Sequence, residues 1–300
     1  MTVAMASTRF IKDRGLTSRM TLVMVLMAVV YLAFMALLIS QGFGTGFILV
    51  IAAVFAVGQW YFSDKVALAA MRARQVTPEQ APELHGMIDR LCTMADMPKP
   101  RVYITDTDMP NAFATGRSPK HSAVCVTTGI MRRLSAEELE GVLAHELSHV
   151  AHRDVAVMTI ASFLGVVAGL ITRWGLLFGG GRRDSNGLPF LVIWLASLVV
   201  AAISFLLTRV LSRYRELCAD RSGAFLTGKP SALASALTKI SGDIARIPTR
   251  DLRRAESMNA FFIAPAIKGA SLNSLLATHP PLEQRLDQLA KVSAELGRPM

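Results

Sequence analysis

Residues 143–150, Leu-Ala-His-Glu-Leu-Ser-His-Val, contain an H-E-x-x-H pentapeptide within a run of helix-forming residues. On an α-helix, His145 and His149 lie one turn apart on the same face, so both imidazoles can reach one metal ion. Zn²⁺ accepts imidazole nitrogen, and a catalytic zinc site uses three protein ligands and leaves a fourth position for water. Glu146 lies where its carboxylate can take a proton from that water as it attacks a carbonyl. The pattern predicts a metallopeptidase, although five residues alone also match by chance.

The segment before the pentapeptide carries a helix start signal. Ser135 and Glu138 form a capping box, because the serine side chain can accept from the backbone of Glu138 while the glutamate reaches back. The helix is therefore expected to begin near Ala136. Its apolar face is supplied by Leu139, Val142, Leu143 and Leu147.

The composition is too apolar for an ordinary soluble domain. Of the 300 residues, 52% are hydrophobic and 18% are charged, and the mean hydropathy is +0.41. The net charge of +10 raises the possibility of a nucleic-acid partner, but many Arg and Lys residues flank apolar runs, as topology signals do. We therefore expect a membrane protein with a soluble part and no nucleic-acid partner. The three cysteines are far apart and indicate no disulfide framework.

Four apolar runs are long enough to be membrane spans. They extend approximately over Thr21–Ser40, Phe47–Phe62, Val155–Phe178 and Leu188–Leu211. The first run is longer than a signal-peptide core and has no clear cleavage site after it, so an uncleaved span is expected. The runs divide the chain into a transmembrane hairpin (1–64), a first protease part (65–154), a second membrane hairpin (155–211) and a second protease part (212–300). Burial of the last two runs in a large core is the less favoured alternative.

The distribution of basic residues predicts the orientation in the membrane. The amino-terminal tail and the segments after the second and fourth runs are basic, whereas the loop between the first two runs has no Lys or Arg. The basic segments are expected in the cytoplasm. The loop with Arg173, Arg182 and Arg183 violates this rule, which leaves open that the second hairpin re-enters the membrane instead of spanning it.

One strand and one β-hairpin are predicted between the first membrane hairpin and the histidines. Residues 101–105 read as a strand, and residues 111–116 and 122–127 read as a β-hairpin immediately before the metal helix. A strand beside a peptidase site can offer its unpaired edge to an extended substrate. The alternative, that it only completes a sheet, stands equally.

A third metal ligand is available directly after the fourth apolar run. Glu216 and Asp220 are four residues apart, so they face the same way on a helix. Glu216 can complete a His₂Glu site, and Asp220 can accept from the outer nitrogen of a ligand histidine. By itself this pair, which lies among arginines, is typical of a solvated helix end. The two spans between H-E-x-x-H and this pair, however, return the chain to the side of the membrane on which H-E-x-x-H lies. A competing three-histidine face would use His152 instead of Glu216.

Several motifs together resemble the HtpX family of bacterial membrane zinc endopeptidases, which are related to the CAAX prenyl proteases. They are H-E-x-x-H, the sequence Glu216-Leu217-Cys218-Ala219-Asp220, the stretch 111–116, and Thr278-His279-Pro280-Pro281 with Arg285. The resemblance covers nearly the whole chain. It implies a mainly α polytopic membrane protein with about four transmembrane helices, a small β-hairpin or sheet, and a gluzincin-type metalloprotease domain. It further implies a bacterial plasma membrane location with the catalytic domain facing the cytoplasm, and proteolysis of damaged or misassembled membrane proteins.

The resemblance also implies residue roles and one Zn²⁺ per chain. The ligands would be His145, His149 and Glu216, and the general base would be Glu146. Asp220 would lie behind the ligands. The substrate edge would include Asn111 and Ala112, with His279 and Arg285 near the site as stabilisers of the oxyanion. A scaffold with structural zinc is disfavoured because structural sites are closed by four ligands. A cation transporter is disfavoured because the spans carry almost no ionisable residues.

Overall fold

The computed structural model describes residues 14–40, 45–178, 187–244 and 279–297, in which helices predominate. The helices are α1 Arg14–Ser40, α2 Thr45–Ala70, α3 Pro82–Ala95, α4 Thr128–Arg133, α5 Ala136–Ala151, α6 Asp154–Phe178, α7 Gly187–Thr227, α8 Pro230–Ile244 and α9 Leu282–Glu295. The strands are β1 Arg74–Gln75, β2 Arg101–Thr105, β3 Ala112–Ser118 and β4 His121–Thr127. The expected mainly helical fold with a small sheet is confirmed.

Among the described residues, three helices contain segments long and apolar enough to cross a membrane. These segments are Gly15–Ser40, Asp154–Thr172 and Leu191–Thr227. In the most apolar stretch of each segment, less than a quarter is buried within the protein, so most of the apolar surface of these segments requires lipid. The fourth expected span falls within α2, several of whose side chains lie outside the described residues. The described residues also exclude the amino-terminal tail, the loop with Arg182 and Arg183, and the segment 247–276.

Helix α7 continues well past the predicted end of the fourth span. It runs without a break for 41 residues, from Gly187 to Thr227. The membrane segment and the segment that carries Glu216 and Asp220 are therefore parts of one helix. The side chains of this helix reach the soluble core because α7 packs against α5 and α9.

The sheet is mixed and has the strand order β1-β2-β4-β3. Strands β2 and β4 are parallel, whereas β3 and β4 form the predicted antiparallel hairpin. Gly116, at an irregularity of this hairpin, has a φ of 135°, and a Cβ there would lie 2.2 Å from the carbonyl oxygen of His121. Only glycine fits this position. Strand β3 lies at the edge of the sheet, and the short helix α4 separates the hairpin from α5, so the expectation that the hairpin immediately precedes the metal helix is wrong.

Helix α5 lies in the centre of the soluble core. Its predicted start is confirmed, because the Ser135 side chain accepts from the backbone of Glu138, and the Ser135 amide donates to the Glu138 carboxylate over 2.8 Å. Leu143 and Leu147 are fully buried in a core that also includes residues of α3, α8, α9 and the sheet. The parts 65–154 and 212–300 thus contact each other through α5, and the division of the chain into these segments stays a prediction.

Candidate metal centre

The two histidines of α5 direct their outer ring nitrogens to the same point. His145 is completely buried, and its ring centroid lies 4.8 Å from that of His149. The two Nε2 atoms are 3.2 Å apart. One turn of helix therefore brings two imidazole nitrogens to a distance at which a single cation can bind both.

Glu216 joins the histidines from α7. Its Oε1 lies 3.3 Å from Nε2 of His149, and its Oε2 lies 3.7 Å from Nε2 of His145. One ligand atom from each of these three residues lies within 4.8 Å of the others. In the part of the chain that the structure describes, this group does not include His152, which ends α5 and has an exposed side chain.

The inner nitrogen of each histidine contacts a carboxylate. Nδ1 of His145 lies 2.9 Å from Oδ1 of Asp220, and Nδ1 of His149 lies 2.5 Å from Oδ2 of Asp154. A carboxylate that accepts from Nδ1 leaves Nε2 as the lone-pair nitrogen, which is the form that binds metal. The contact of Asp220 agrees with the sequence-based expectation. Asp154 was not predicted, because in the sequence it is only the last polar residue before an apolar run.

Each of these carboxylates also contacts a buried arginine. Arg285 binds Asp220 through Nε at 2.8 Å and Nη2 at 2.6 Å, and Arg215 of α7 contacts Asp154. The charges of the two aspartates are thereby compensated. Glu146 and Glu216 add two further buried carboxylates beside the two imidazoles, and buried negative charge requires positive partners. A divalent cation between these side chains supplies one, so the donor set fits a metal ion.

The electrostatics of His149 favour positive charge at this point. Burial alone lowers the pKa of His149, but the carboxylates of Asp154 and Glu216 outweigh burial and raise its pKa to about 10. Surroundings that attract a proton to this imidazole also attract a metal cation. The sequence spacing predicted the candidate ligands, and the packing of α7 on α5 provides this charge environment.

Glu146 lies beside the three candidate ligands, and its carboxylate is held by the edge of the sheet. Its Oε2 accepts a hydrogen bond from the backbone N–H of Ala114 in β3 over 2.9 Å. The side chain is almost fully buried, and this burial raises the pKa of the Glu146 carboxyl. The sequence did not single out Ala114, since a backbone donor leaves no signature in the residue type.

The backbone direction along β3 distinguishes the expected edge residues. The Asn111 amide donates to Oγ1 of Thr127, and the Asn111 carbonyl accepts from the Thr127 amide, so Asn111 faces β4. Because hydrogen-bonding direction alternates along a strand, Ala112 and Ala114 present their backbone groups at the free edge. The side chains of Asn111 and Ala112 are both buried. Of Asn111, Ala112 and Ala114, it is Ala114 that lines the cavity at Glu146.

His279 and Arg285 lie on different sides of the cluster. Nδ1 of His279 is 2.8 Å from Oε2 of Glu216, and its ring lines the cavity. Nε2 of His279 is buried and has no hydrogen-bond partner among the described residues. Arg285 is not part of the cavity wall; it lies behind Asp220 and His145.

A cavity of about 880 Å³ contains the cluster and continues along the membrane helices. At one end its wall is formed by His145, Glu146, His149 and Glu216. Further along, α2 contributes Gly58, Phe62 and Val66, and α6 contributes Met158 and Ser162. A mostly apolar passage therefore leads from the cluster to the helices that contact lipid.

Comparison with known proteins agrees with this arrangement. The family model described as peptidase family M48 matches residues 78–293. The chain belongs to peptidase family M48. Among M48 relatives, Protease HtpX homolog 1 of Streptomyces coelicolor is 58% identical over 294 residues, covering 96% of each chain. Protease HtpX homolog of Moorella thermoacetica is 53% identical, covering 95% of this chain and 96% of the relative.

A solved structure shows a similar fold. The crystal structure of S. mikatae Ste24p matches with a TM-score of 0.57 and 19% identity, covering 90% of this M48 chain and 64% of the other. This chain therefore spans less than two thirds of the length of the Ste24p chain, and the similarity concerns the fold.

These findings confirm the recognition of an HtpX-type protein. The chain is an M48 metalloprotease with protein substrates and a metal cofactor. Its apolar helices make it a multi-pass membrane protein in contact with lipid. The candidate metal cluster of this M48 chain lies where α7 enters the soluble core.

Proposed function

We propose that the chain is a zinc endopeptidase that cleaves damaged or misassembled membrane proteins at the cytoplasmic face of a bacterial plasma membrane. The observation that carries this proposal is the cluster of His145, His149 and Glu216 beside Glu146, in a cavity that continues along the membrane helices. The basic segments before the first span and after the second and fourth support the cytoplasmic orientation.

One zinc ion would be held by His145, His149 and Glu216. Two imidazole nitrogens and one carboxylate oxygen form the donor set of many catalytic zinc sites, which leave a fourth position open. When bound in such a site, zinc lowers the pKa of water to about 7 and polarises a carbonyl group. Asp220 and Asp154 hold the two imidazoles with Nε2 directed towards the ion.

Glu146 acts as the general base and then as the general acid. Its carboxylate accepts the proton of the attacking water and delivers it to the leaving nitrogen of the cleaved peptide. The Ala114 amide fixes one carboxylate oxygen, which leaves the other oriented for proton transfer. Burial raises the pKa of this carboxyl, and a pKa closer to the working pH makes both transfers more efficient.

His279 stabilises the oxyanion of the substrate. Its Nδ1 donates to Glu216 and its Nε2 has no partner in the described part of the chain, so the imidazolium form of His279, which carries a proton on both nitrogens, can donate from Nε2 to the substrate oxygen as negative charge develops there. The geometry favours a different role for Arg285 from the one expected. Because Arg285 binds Asp220 outside the cavity wall, it holds the residue that orients His145.

The substrate is bound in an extended conformation along β3. The backbone groups that Ala112 and Ala114 present at the edge of the sheet can pair with an added strand, although the Ala114 amide already binds Glu146. The apolar continuation of the cavity between α2 and α6 suits segments that leave the bilayer. This combination supports membrane proteins as the substrate class.

The test compares the wild type with Glu146→Gln in detergent, measuring zinc content together with cleavage of casein and of an unassembled membrane protein. Glu146→Gln is expected to keep one zinc per chain and its fold, and to lose about 10²–10⁴-fold in cleavage rate. Glu137→Gln is the matched control, because Glu137 lies on the same helix with an exposed side chain that pairs with Lys229. Undiminished cleavage by Glu146→Gln, or a wild type without zinc, would reject the proposal.

A further inference from the structure

We propose that the second membrane hairpin orients His149 for metal binding, through a chain of contacts from Arg215 to Asp154 to the imidazole. Arg215 and Asp154 are positioning residues, since neither is one of the three candidate ligands. The inference rests on the proposed zinc site. It adds that the affinity of that site for metal depends on how α6 and α7 pack together.

The contacts of Asp154 show how the hairpin reaches the histidine. Asp154 is the first residue of α6, and its Oδ2 lies 2.5 Å from Nδ1 of His149. The same oxygen contacts Nη2 of Arg215, which extends from α7. Asp154 and Arg215 are 5% and 7% exposed, so removing one partner leaves the other as a largely buried charge.

The turn between α5 and α6 makes the contact with His149 possible. On a continuous helix, residues three and four positions after His149 would face it, and Asp154 follows it by five. Helix α5 ends at Ala151, and Arg153 adopts a left-handed φ of 56° before α6 begins. A left-handed conformation is strained for a residue other than glycine. This turn redirects the chain so that the carboxylate of Asp154 lies against the preceding helix.

The other histidine is oriented from different elements. Asp220 of α7 contacts His145, and its arginine partner, Arg285, comes from the soluble helix α9. For His149, by contrast, the carboxylate comes from α6 and the arginine from α7, the two helices that contain the membrane hairpin. Arg215 directly precedes Glu216 in the sequence, so one turn of α7 supplies a ligand and also fixes the orientation of another.

The loss of either partner has a defined consequence. Without Asp154, Nδ1 of His149 has no carboxylate to accept from it, and the imidazole is free to rotate or to change tautomer. Without Arg215, the carboxylate is buried with an uncompensated charge and no longer has a fixed position. Both changes reduce the fraction of molecules in which Nε2 of His149 is directed to the metal.

The experiment measures zinc affinity of the full-length protein in detergent by competition with a chelator, with thermal unfolding followed in parallel. Asp154→Asn and Arg215→Gln are each expected to weaken zinc binding about 10–100-fold. The double variant is expected to lose no more zinc affinity than the single variant with the larger loss, because both residues act through one contact chain. Asp154→Glu, which keeps the carboxylate, is expected to recover part of the affinity.

The control and the opposing outcomes are distinct. Arg221→Gln removes an arginine of the same helix that pairs with Glu295, and it should leave zinc affinity unchanged. If Arg215→Gln does not fold, Arg215→Lys is used; it keeps the charge without the planar fork and should show a smaller loss. Variants that unfold at lower temperature but bind zinc as the wild type does would overturn the inference, as would additive losses in the double variant. A wild type that binds no zinc would instead refute the proposed function.

Discussion

Gly223 is expected to set the distance between the two helices that form the metal centre, and Gly223→Ala tests this. A Cβ at Gly223 would lie 2.8 Å from the backbone nitrogen of His145 and 3.1 Å from its Cα. Ordinary carbon contacts begin at 3.4 Å, so the shortest of these distances is about 0.6 Å too small. The atoms concerned are backbone atoms of α5, which cannot move aside as a side chain can. The helices must therefore separate.

The sign of the stability change follows from two opposing effects. Alanine stabilises the interior of a helix by about 1 kcal/mol relative to glycine. Overpacking against a rigid neighbour costs about 1–3 kcal/mol, so Gly223→Ala should be neutral or destabilising by up to about 2 kcal/mol. Metal sites tolerate ligand displacements of only about 0.2 Å. Since Glu216 and His145 come from the two separated helices, zinc affinity should fall about tenfold or more.

The assay is thermal unfolding together with zinc competition, with Gly86→Ala in α3 as the control. A Cβ at Gly86 meets no atom within 4 Å, so this substitution should stabilise the protein by about 0.5–1 kcal/mol and leave zinc affinity unchanged. A difference of 1 kcal/mol corresponds to about 2–4 °C in unfolding temperature for a protein of this size class. If Gly223→Ala unfolds at the same temperature as Gly86→Ala and binds zinc as tightly as the wild type, the close approach does not control the site.

Two further substitutions examine individual members of the cluster. Glu216→Ala should lose most of its bound zinc, whereas His152→Ala should retain it, and a measurement of metal content that gives the reverse would favour the three-histidine site. His279→Gln should keep its zinc and lower kcat about 10²–10³-fold, as the loss of an oxyanion donor does. Its effect on KM should be small, and His121→Gln at the exposed first residue of β4 should change neither constant. An unchanged kcat for His279→Gln would show that its unpartnered nitrogen has no part in the reaction.

The elements near the metal helix could be predicted because their signals are local. The capping box of Ser135 and Glu138 specifies the start of α5 within a few residues of sequence, and it is found as predicted. The strand 101–105 was also correctly bounded. Helix α3 begins at Pro82, after a turn in which the Thr77 carbonyl accepts from the amides of Gln80 and Ala81.

The residues that support the ligands were not visible in the sequence. Ala114 contributes through its backbone amide, and any residue type except proline offers that group. In the sequence, Asp154 reads as the last polar residue before one apolar run and Arg215 as a polar residue after the next, and their pairing depends on the packing of α6 on α7. Gly223 has no signal of its own, since its importance lies in the backbone of another helix. In each case the information lies in contacts between elements that are distant in the chain.

The continuous form of α7 explains how a candidate third ligand so far along the chain comes to lie beside the histidines. Glu216, Asp220 and Gly223 follow one another by four and three residues, so they form one stripe along a straight helix. At 1.5 Å per residue this stripe is about 10 Å long, roughly two turns. Glycine at one end lets the helix approach the backbone of His145, and the two carboxylates then reach Nε2 and Nδ1 of the same imidazole. If α7 were broken at the predicted end of the span, this stripe would be separated from the membrane segment. Because α7 is a single helix, the position of Glu216 depends on the position of the membrane-spanning part of the helix. The membrane segment is therefore part of the structure that forms the metal site.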